Sequence, residues 1–215
     1  MTKKMFNFSF GSTNDSEREN WVKNTLKKIP AGNKILDAGA GERRYEVHCP
    51  HLKYVAQDFG KYDGSGDGSG LQTNTWDQSK LDIMCDIVDI PVESNSFDAV
   101  MCIEVFEHIP DPISAIKEFT RIIKPGGHLI ITAPFACGTH FAPYIFYSGF
   151  TKYFYETHLS KDFEILEIKA NGNFFEYLAQ ELRRMPSIAK KYTNSIFFRI
   201  LYKILVLPII YILWR

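Results

Sequence analysis

Residues 34–44 read KILDAGAGERR, and the fold is decided by how this stretch is read. A short apolar run, Lys34–Ala38, is followed at once by Gly39 and Gly41. A buried run closed by glycines predicts a strand and a tight turn. Further runs follow the same plan. Lys53–Asp58 (KYVAQD) reads as a second strand, 81–86 leads to a third and 97–104 (FDAVMCIE) is a fourth. The fifth is placed at 128–133 (HLIITA) and a sixth at 163–170 (FEILEIKA). Two stretches between them have helical spacing. Residues 16–28 carry Trp21, Val22, Thr25 and Leu26, and Pro30, Ala31 and Gly32 stop them. Residues 112–123 align Ile113, Ile116, Phe119, Thr120 and Ile123, and Pro125, Gly126 and Gly127 are expected to end that helix. Short apolar strands alternating with helices predict an α/β fold: a Rossmann-like, mostly parallel sheet with helices on both faces.

Composition agrees with a folded globular chain. It has 215 residues, 45% hydrophobic and 23% charged, enough for one domain with an appendage. Lys plus Arg is 25 and Asp plus Glu is 25, so no global basic field is available to hold nucleic acid. Cys49, Cys85, Cys102 and Cys137 show no C-x-x-C spacing, so neither a zinc site nor a disulfide framework is expected, and no metal site is assigned. The opening MTKKMFNFSFGS has no long apolar stretch, so a secretory signal is not expected and a cytoplasmic setting is.

In a parallel sheet, ligands bind beyond the carboxyl ends of the strands. The glycine turn begins like G-x-G-x-x-G, but Arg44 stands at the third glycine position, and Asp37 precedes the turn. A carboxylate there repels a pyrophosphate and attracts an ammonium or sulfonium group. Asp58 closes the second strand, where a carboxylate accepts ribose hydroxyls. Asp86 and Ile87 follow the third, offering an acceptor and an apolar wall to an adenine.

At this point the chain resembles the class I S-adenosylmethionine-dependent methyltransferases, most of all the group called type 11. The resemblance rests on ILDAGAGERRY (35–45), VAQD (55–58), CDIVDIPVESNSFDAVMCIEVFEHIPDP (85–112) and EFTRIIKPGGHLIITAPF (118–135), and it covers about residues 33–170. It implies S-adenosylmethionine as cofactor. Asp37, Gly39 and Gly41, with Ala40 between them, would hold the methionine moiety. Asp58, with Phe59 beside it, would bind the ribose, and Asp86 and Ile87 would frame the adenine. Ile103, Glu104 and Val105 would line the methyl end. The family's seventh strand is not placed; 173–185 reads instead as a helix.

Methyl transfer to oxygen or nitrogen calls for a general base. His140 and His108 are the candidates, with Glu104 and Glu107 weaker ones. Residues 139–158 are dense in aromatics and are expected to form a lid over the acceptor. The pieces APYIFYSGFT, FEILEIK and NGNFFEYLAQELRR resemble segments of methyltransferases from bacterial surface-glycan loci, which implies a saccharide or lipid-linked glycan acceptor. The loop FGKYDGSGDGSG (59–70) starts like a calcium loop at Asp63, Ser65 and Asp67, but the twelfth position is Asn74, not Glu. A mobile loop closing over the cofactor with Tyr62 and Trp76 is the better reading.

The organisation expected is an N-terminal arm and helix (1–32), a methyltransferase domain (33–170) and C-terminal helices ending in a hydrophobic one (171–215). Residues 196–214 suit a basic amphipathic helix on a membrane interface, or a helix packed on the domain, so peripheral contact through 190–215 on the inner face is expected alongside the packed form. The rivals to glycan methylation are methylation of a quinone-like lipid-soluble ring, a non-catalytic scaffold in glycan assembly and an NAD(P)-dependent oxidoreductase. The last is disfavoured by Arg44 and Asp37. The sequence leaves the oligomeric state open.

Overall fold

The computed structural model describes residues 10–192 and, in the tail, residues 202, 204–206, 208–210, 212 and 213. The chain forms two compact units: Lys23–Ile168, and Met1–Val22 together with Lys169–Arg215.

The larger unit is built on five parallel strands: β1 (Lys34–Ala38), β2 (Lys53–Asp58), β3 (Ile83–Met84), β4 (Phe97–Ile103) and β5 (Ile123–Thr132). Their order is β3-β2-β1-β4-β5. From β1 the chain steps outward to β2 and β3, then returns to β4 on the other side. The topological switch therefore lies between β1 and β4, where Leu36 pairs with Val100 and Asp37 with Met101. Both central strands are almost wholly buried, which is why they read as continuous apolar runs.

One face carries the main core. Leu36, Ala38, Val100 and Cys102 meet Ala115, Ile116, Phe119 and Ile122 of α2 (Pro112–Ile122), with Phe154, Tyr155 and Leu159 of α3 (Lys152–Leu159) against them. Helix α2 starts where the sequence places it: Pro112 occupies its first turn and the Asp111 carboxylate accepts from the Ser114 N–H at 3.1 Å. From α2, Glu118 accepts the Ile90 N–H at 2.8 Å and Arg121 donates to the carbonyls of Val92 and Ile90, so one salt-bridged pair clamps the loop after β3.

Three expectations are corrected. Pro125, Gly126 and Gly127 do not separate α2 from β5; the helix passes directly into the strand at Ile123, and the three residues form an irregularity within it. The Ile123 and His128 pairings with Phe97 and Ala99 bracket this bulge. Residues 163–170 form no strand. Phe163 and Ile165 are half-buried while Glu164 and Leu166 are exposed, so the alternation is real, but among the described residues no neighbouring strand hydrogen-bonds to it. The third strand is shorter than expected, two residues long. The Asp82 carboxylate takes over its ladder, accepting from the Ala56 N–H at 2.8 Å.

In the smaller unit, helix α4 (Phe174–Tyr192) opens with a reciprocal cap: Asn173 Oδ1 accepts from the Phe175 and Glu176 N–H groups, and Glu176 accepts from the Asn173 N–H at 3.0 Å. Helix α1 (Asn14–Leu26) begins in this unit, where Asn14 donates to Gln180 at 3.1 Å, and Arg183 donates to the Phe10 carbonyl at 2.7 Å. The helix expected at 173–185 is thus present and longer. Most of the expected tail helix at 196–214 lies outside the described residues. Among those described, Ile204, Leu205, Ile209 and Ile212 are exposed and Ile210 is buried, and no helix is long and apolar enough to cross a membrane.

Candidate active site at the strand ends

The turn after β1 and the turn after β4 meet at the switch point. Gly39 has φ +81°, and a Cβ built there would lie 2.5 Å from Val105. Glycine is required twice over, by the left-handed backbone and by the contact. The Gly39 and Ala40 N–H groups both donate to the Gln57 carbonyl of β2, at 2.9 and 2.8 Å. Gly41, φ +50°, donates to Asp58 Oδ2 at 3.0 Å, and a Cβ there would meet Trp76 at 2.5 Å. Glu104 itself sits at φ +57°, a conformation that a long side chain rarely adopts. It is held there by Thr132 from β5, whose carbonyl accepts the Glu104 N–H and whose hydroxyl donates to its carboxylate, both at 2.9 Å.

The acids at the strand ends differ. Asp37 is 2% exposed, and the Tyr54 hydroxyl donates to it at 2.6 Å. Burial, reinforced by the charge of Asp58, raises its pKa to about 7, although the Tyr54 bond and Arg43 pull the other way. Asp58 is also buried, and burial raises its pKa despite donors from Gly41, Gly60 and Gln78. Asp86 is exposed and accepts from the Val88 N–H at 3.2 Å. Ile87 is buried in the main core, and Ile103 is 7% exposed at the end of β4. Phe59 meets Tyr144 edge-on at 4.9 Å.

The two histidines come together. Their rings lie 4.8 Å apart, edge to face, and the Phe141 ring stacks on His108 at 5.3 Å. His108 Nδ1 bonds the Tyr144 carbonyl at 2.5 Å, and its buried Nε2 has no hydrogen-bond partner among the described residues. Burial, reinforced by His140, lowers its pKa to about 4. His108 is therefore a neutral ring at ordinary pH. His140 Nδ1 bonds the Gly138 carbonyl at 2.9 Å, leaving Nε2 3.9 Å from Glu107 Oε1. Glu107, His108 and His140 each offer one ligand atom within 4.8 Å of the others, a donor set whose chemistry suits a divalent cation.

Sequence reasoning brings Asp37, Gly39, Gly41, Asp58 and Val105 to one place, and the structure agrees in placing them there. It misses Tyr54, Gln57, Gln78 and Thr132, whose roles depend on contacts across strands and loops. The sequence offers Glu107 only as a weak candidate base; its near-complete burial beside two imidazoles is what distinguishes it.

Comparison with known proteins gives the following. Residues 36–131 match the family described as a methyltransferase domain. A ubiquinone biosynthesis O-methyltransferase of Aliivibrio fischeri is 36% identical over 106 residues, 47% of this chain and 44% of that one. The enzyme of the same name from Xanthomonas axonopodis pv. citri is 36% identical over 116 residues, covering 48% and 44%. The chain thus spans less than half the length of these two relatives. Among solved structures, the YcgJ protein of Bacillus subtilis aligns with a TM-score of 0.45 and 18% identity, over 56% of this chain and 52% of that one.

Proposed function

We propose, on the premise that residues 36–131 are a class I methyltransferase domain, that the protein transfers a methyl group from S-adenosylmethionine to an oxygen of a small, lipid-soluble aromatic acceptor. The observation that carries the donor assignment is the pair of buried carboxylates, Asp37 and Asp58, at the switch point. Burial raises the pKa of both, the charge of Asp58 raises that of Asp37 further, and a cationic ligand relieves the cost of ionising them where a pyrophosphate would add to it. The residues present therefore fit a sulfonium and ammonium ligand.

When bound, S-adenosylmethionine supplies an electrophilic methyl on a positively charged sulfur. Asp37 would pair with the ligand's cationic end, and Asp58 would accept from the ribose hydroxyls. Glu104, held in its left-handed conformation by Thr132, and Val105 would line the methyl end. His140 takes the acceptor's proton at Nε2. His108, neutral and pinned by the Tyr144 carbonyl, shapes the acceptor side with Phe141. Holding the nucleophile in line contributes up to roughly 7–11 kcal/mol in such reactions.

Support for a ring acceptor comes from the aromatic cluster of Phe141, Tyr62 and Trp76, whose Phe141 lies beside the His108 and His140 rings, and from the relatives' names; neither favours the glycan acceptor that segment resemblance suggests. Peripheral membrane contact through 190–215 fits such an acceptor. Residues 182–215 contain seven Lys or Arg and no Asp or Glu, in a chain whose net charge is zero.

The test is calorimetric titration of the protein with S-adenosylmethionine, with NADH and NADPH in parallel, followed by turnover with a catechol-type ring and with nucleotide sugars. Binding of the sulfonium donor alone and methylation of the ring alone are expected. Binding of the dinucleotides, or methylation of the sugars in place of the ring, overturns the corresponding half.

A further inference from the structure

Residues 60–80 lie across the donor site and are fastened to the acceptor segment. Gln78 Nε2 donates to Asp58 Oδ1 at 2.8 Å, beside the Gly60 N–H on the same oxygen. The other carboxylate oxygen is taken by the Gly41 N–H. Both oxygens of the ribose-binding carboxylate thus already hold donors, and of these only Gln78 comes from a side chain. Two residues earlier, Trp76 covers Gly41. The Trp76 ring meets Phe141 at 5.4 Å, and Tyr62 stacks on Phe141 at 4.7 Å.

A backbone ladder completes the attachment. Leu71 pairs with His140: its N–H donates to the Thr139 carbonyl at 3.0 Å, and its carbonyl accepts from the Phe141 N–H at 2.9 Å. The Asp67 N–H and the Gln72 amide both reach the Ala142 carbonyl. The segment that touches Asp58 therefore carries, through hydrogen bonds and stacked rings, the stretch that holds His140.

We propose that Gln78 takes the place of the donor's ribose hydroxyl on Asp58, so that donor binding displaces it and moves the 60–80 strap together with the His140 segment. The proposal rests on the assignment of S-adenosylmethionine to this site. It makes the donor compete with a group of the chain itself, and it orders the reaction, with donor entry preceding arrangement of the acceptor side.

The competition has a sign that a merely structural role lacks. Removing Gln78 frees an Asp58 oxygen that the donor would otherwise have to win. A hydrogen bond contributes about 0.5–1.5 kcal/mol, so its removal is expected to tighten donor binding by about 2- to 10-fold. The experiment titrates S-adenosylmethionine into the wild-type chain, Gln78→Ala and Gln78→Leu by calorimetry, with thermal unfolding of each. Gln78→Leu keeps the bulk, so it reads the hydrogen bond apart from any collapse of the strap. Tighter binding in Gln78→Leu is the expected result. Unchanged or weaker binding in it, with wild-type binding intact, overturns this proposal and leaves the donor assignment standing. No donor binding by the folded wild-type chain removes the assignment and the proposal together. Hydrogen exchange of the Leu71 and Phe141 amides reads the strap directly: a change on adding donor is expected, and identical exchange with and without bound donor overturns the coupling.

Discussion

Tyr54 holds Asp37 from the neighbouring strand, its hydroxyl 2.6 Å from a carboxylate that is almost wholly buried. Burial has raised the Asp37 pKa to about 7, so the group titrates near neutral pH. A cationic donor binds the ionised form. Donor affinity is therefore expected to rise by up to about tenfold between roughly pH 6 and pH 8, as Asp37 loses its proton. The donor's own amine titrates near the top of this range, so Asp37→Asn is the reference curve. It should bind weakly and lose the protein's share of the pH dependence. Equal slopes for the two proteins in calorimetry would show that Asp37 does not meet the cation.

Stability should carry opposite signatures from two buried groups. The folded pKa of Asp37 lies above its unfolded value of 3.8, so its contribution is full below that value and is lost as pH rises toward 7. The folded pKa of His108, about 4, lies below its unfolded value of 6.5, so its contribution is full above 6.5 and is lost as pH falls through that window. The two oppose each other across the same range. Asp37→Asn should unmask a stability that falls on acidification, and His108→Gln one that rises. Denaturant midpoints between pH 4 and pH 7 measure both; parallel curves for the two variants would refute the assignment.

Gly39→Ala should be severe. The backbone is left-handed and the added methyl would meet Val105 at 2.5 Å. The conformation alone costs about 1–2 kcal/mol, and the clash pushes the β1 and β4 turns apart. Donor affinity is expected to fall by more than about tenfold, with a lowered melting temperature. Gly126→Ala, also left-handed but with nothing near the added methyl, should lose a similar conformational term and keep donor affinity.

Phe119→Ala removes the ring where α2 meets the sheet core. Phe119 is fully buried and its ring lies 6.4 Å from that of Phe106. The expected loss is about 3–5 kcal/mol in urea unfolding. A loss under about 1 kcal/mol would mean that this face repacks freely.

The full chain should sediment with vesicles rich in phosphatidylglycerol and not with phosphatidylcholine alone. The seven basic residues of 182–215 supply the charge term, and added salt should weaken it. Equal partition to both vesicles, or to neither, would dismiss the basic tail as a lipid contact.

Much of this protein is legible along the chain. Apolar runs ending in glycine or acid mark β1, β2 and β4, because a strand buried on both faces must be apolar wherever its backbone pairs. Asp37, Gly39, Gly41 and Asp58 are legible for a related reason: in a parallel sheet, residues at and just past the carboxyl ends of the strands gather without any further information. The alternation at 163–170 marks a face but not a partner, and only assembly of the sheet decides that no strand pairs with it. Likewise Pro125, Gly126 and Gly127 have the local chemistry of a helix stop, yet β4 pairs with residues on both sides of them and draws them into a bulge. Tyr54 on Asp37, Gln78 on Asp58, and Glu107 beside His108 and His140 belong wholly to the tertiary structure. Each depends on side chains that meet through register, burial and the path of a loop, and no periodicity in the sequence encodes those distances.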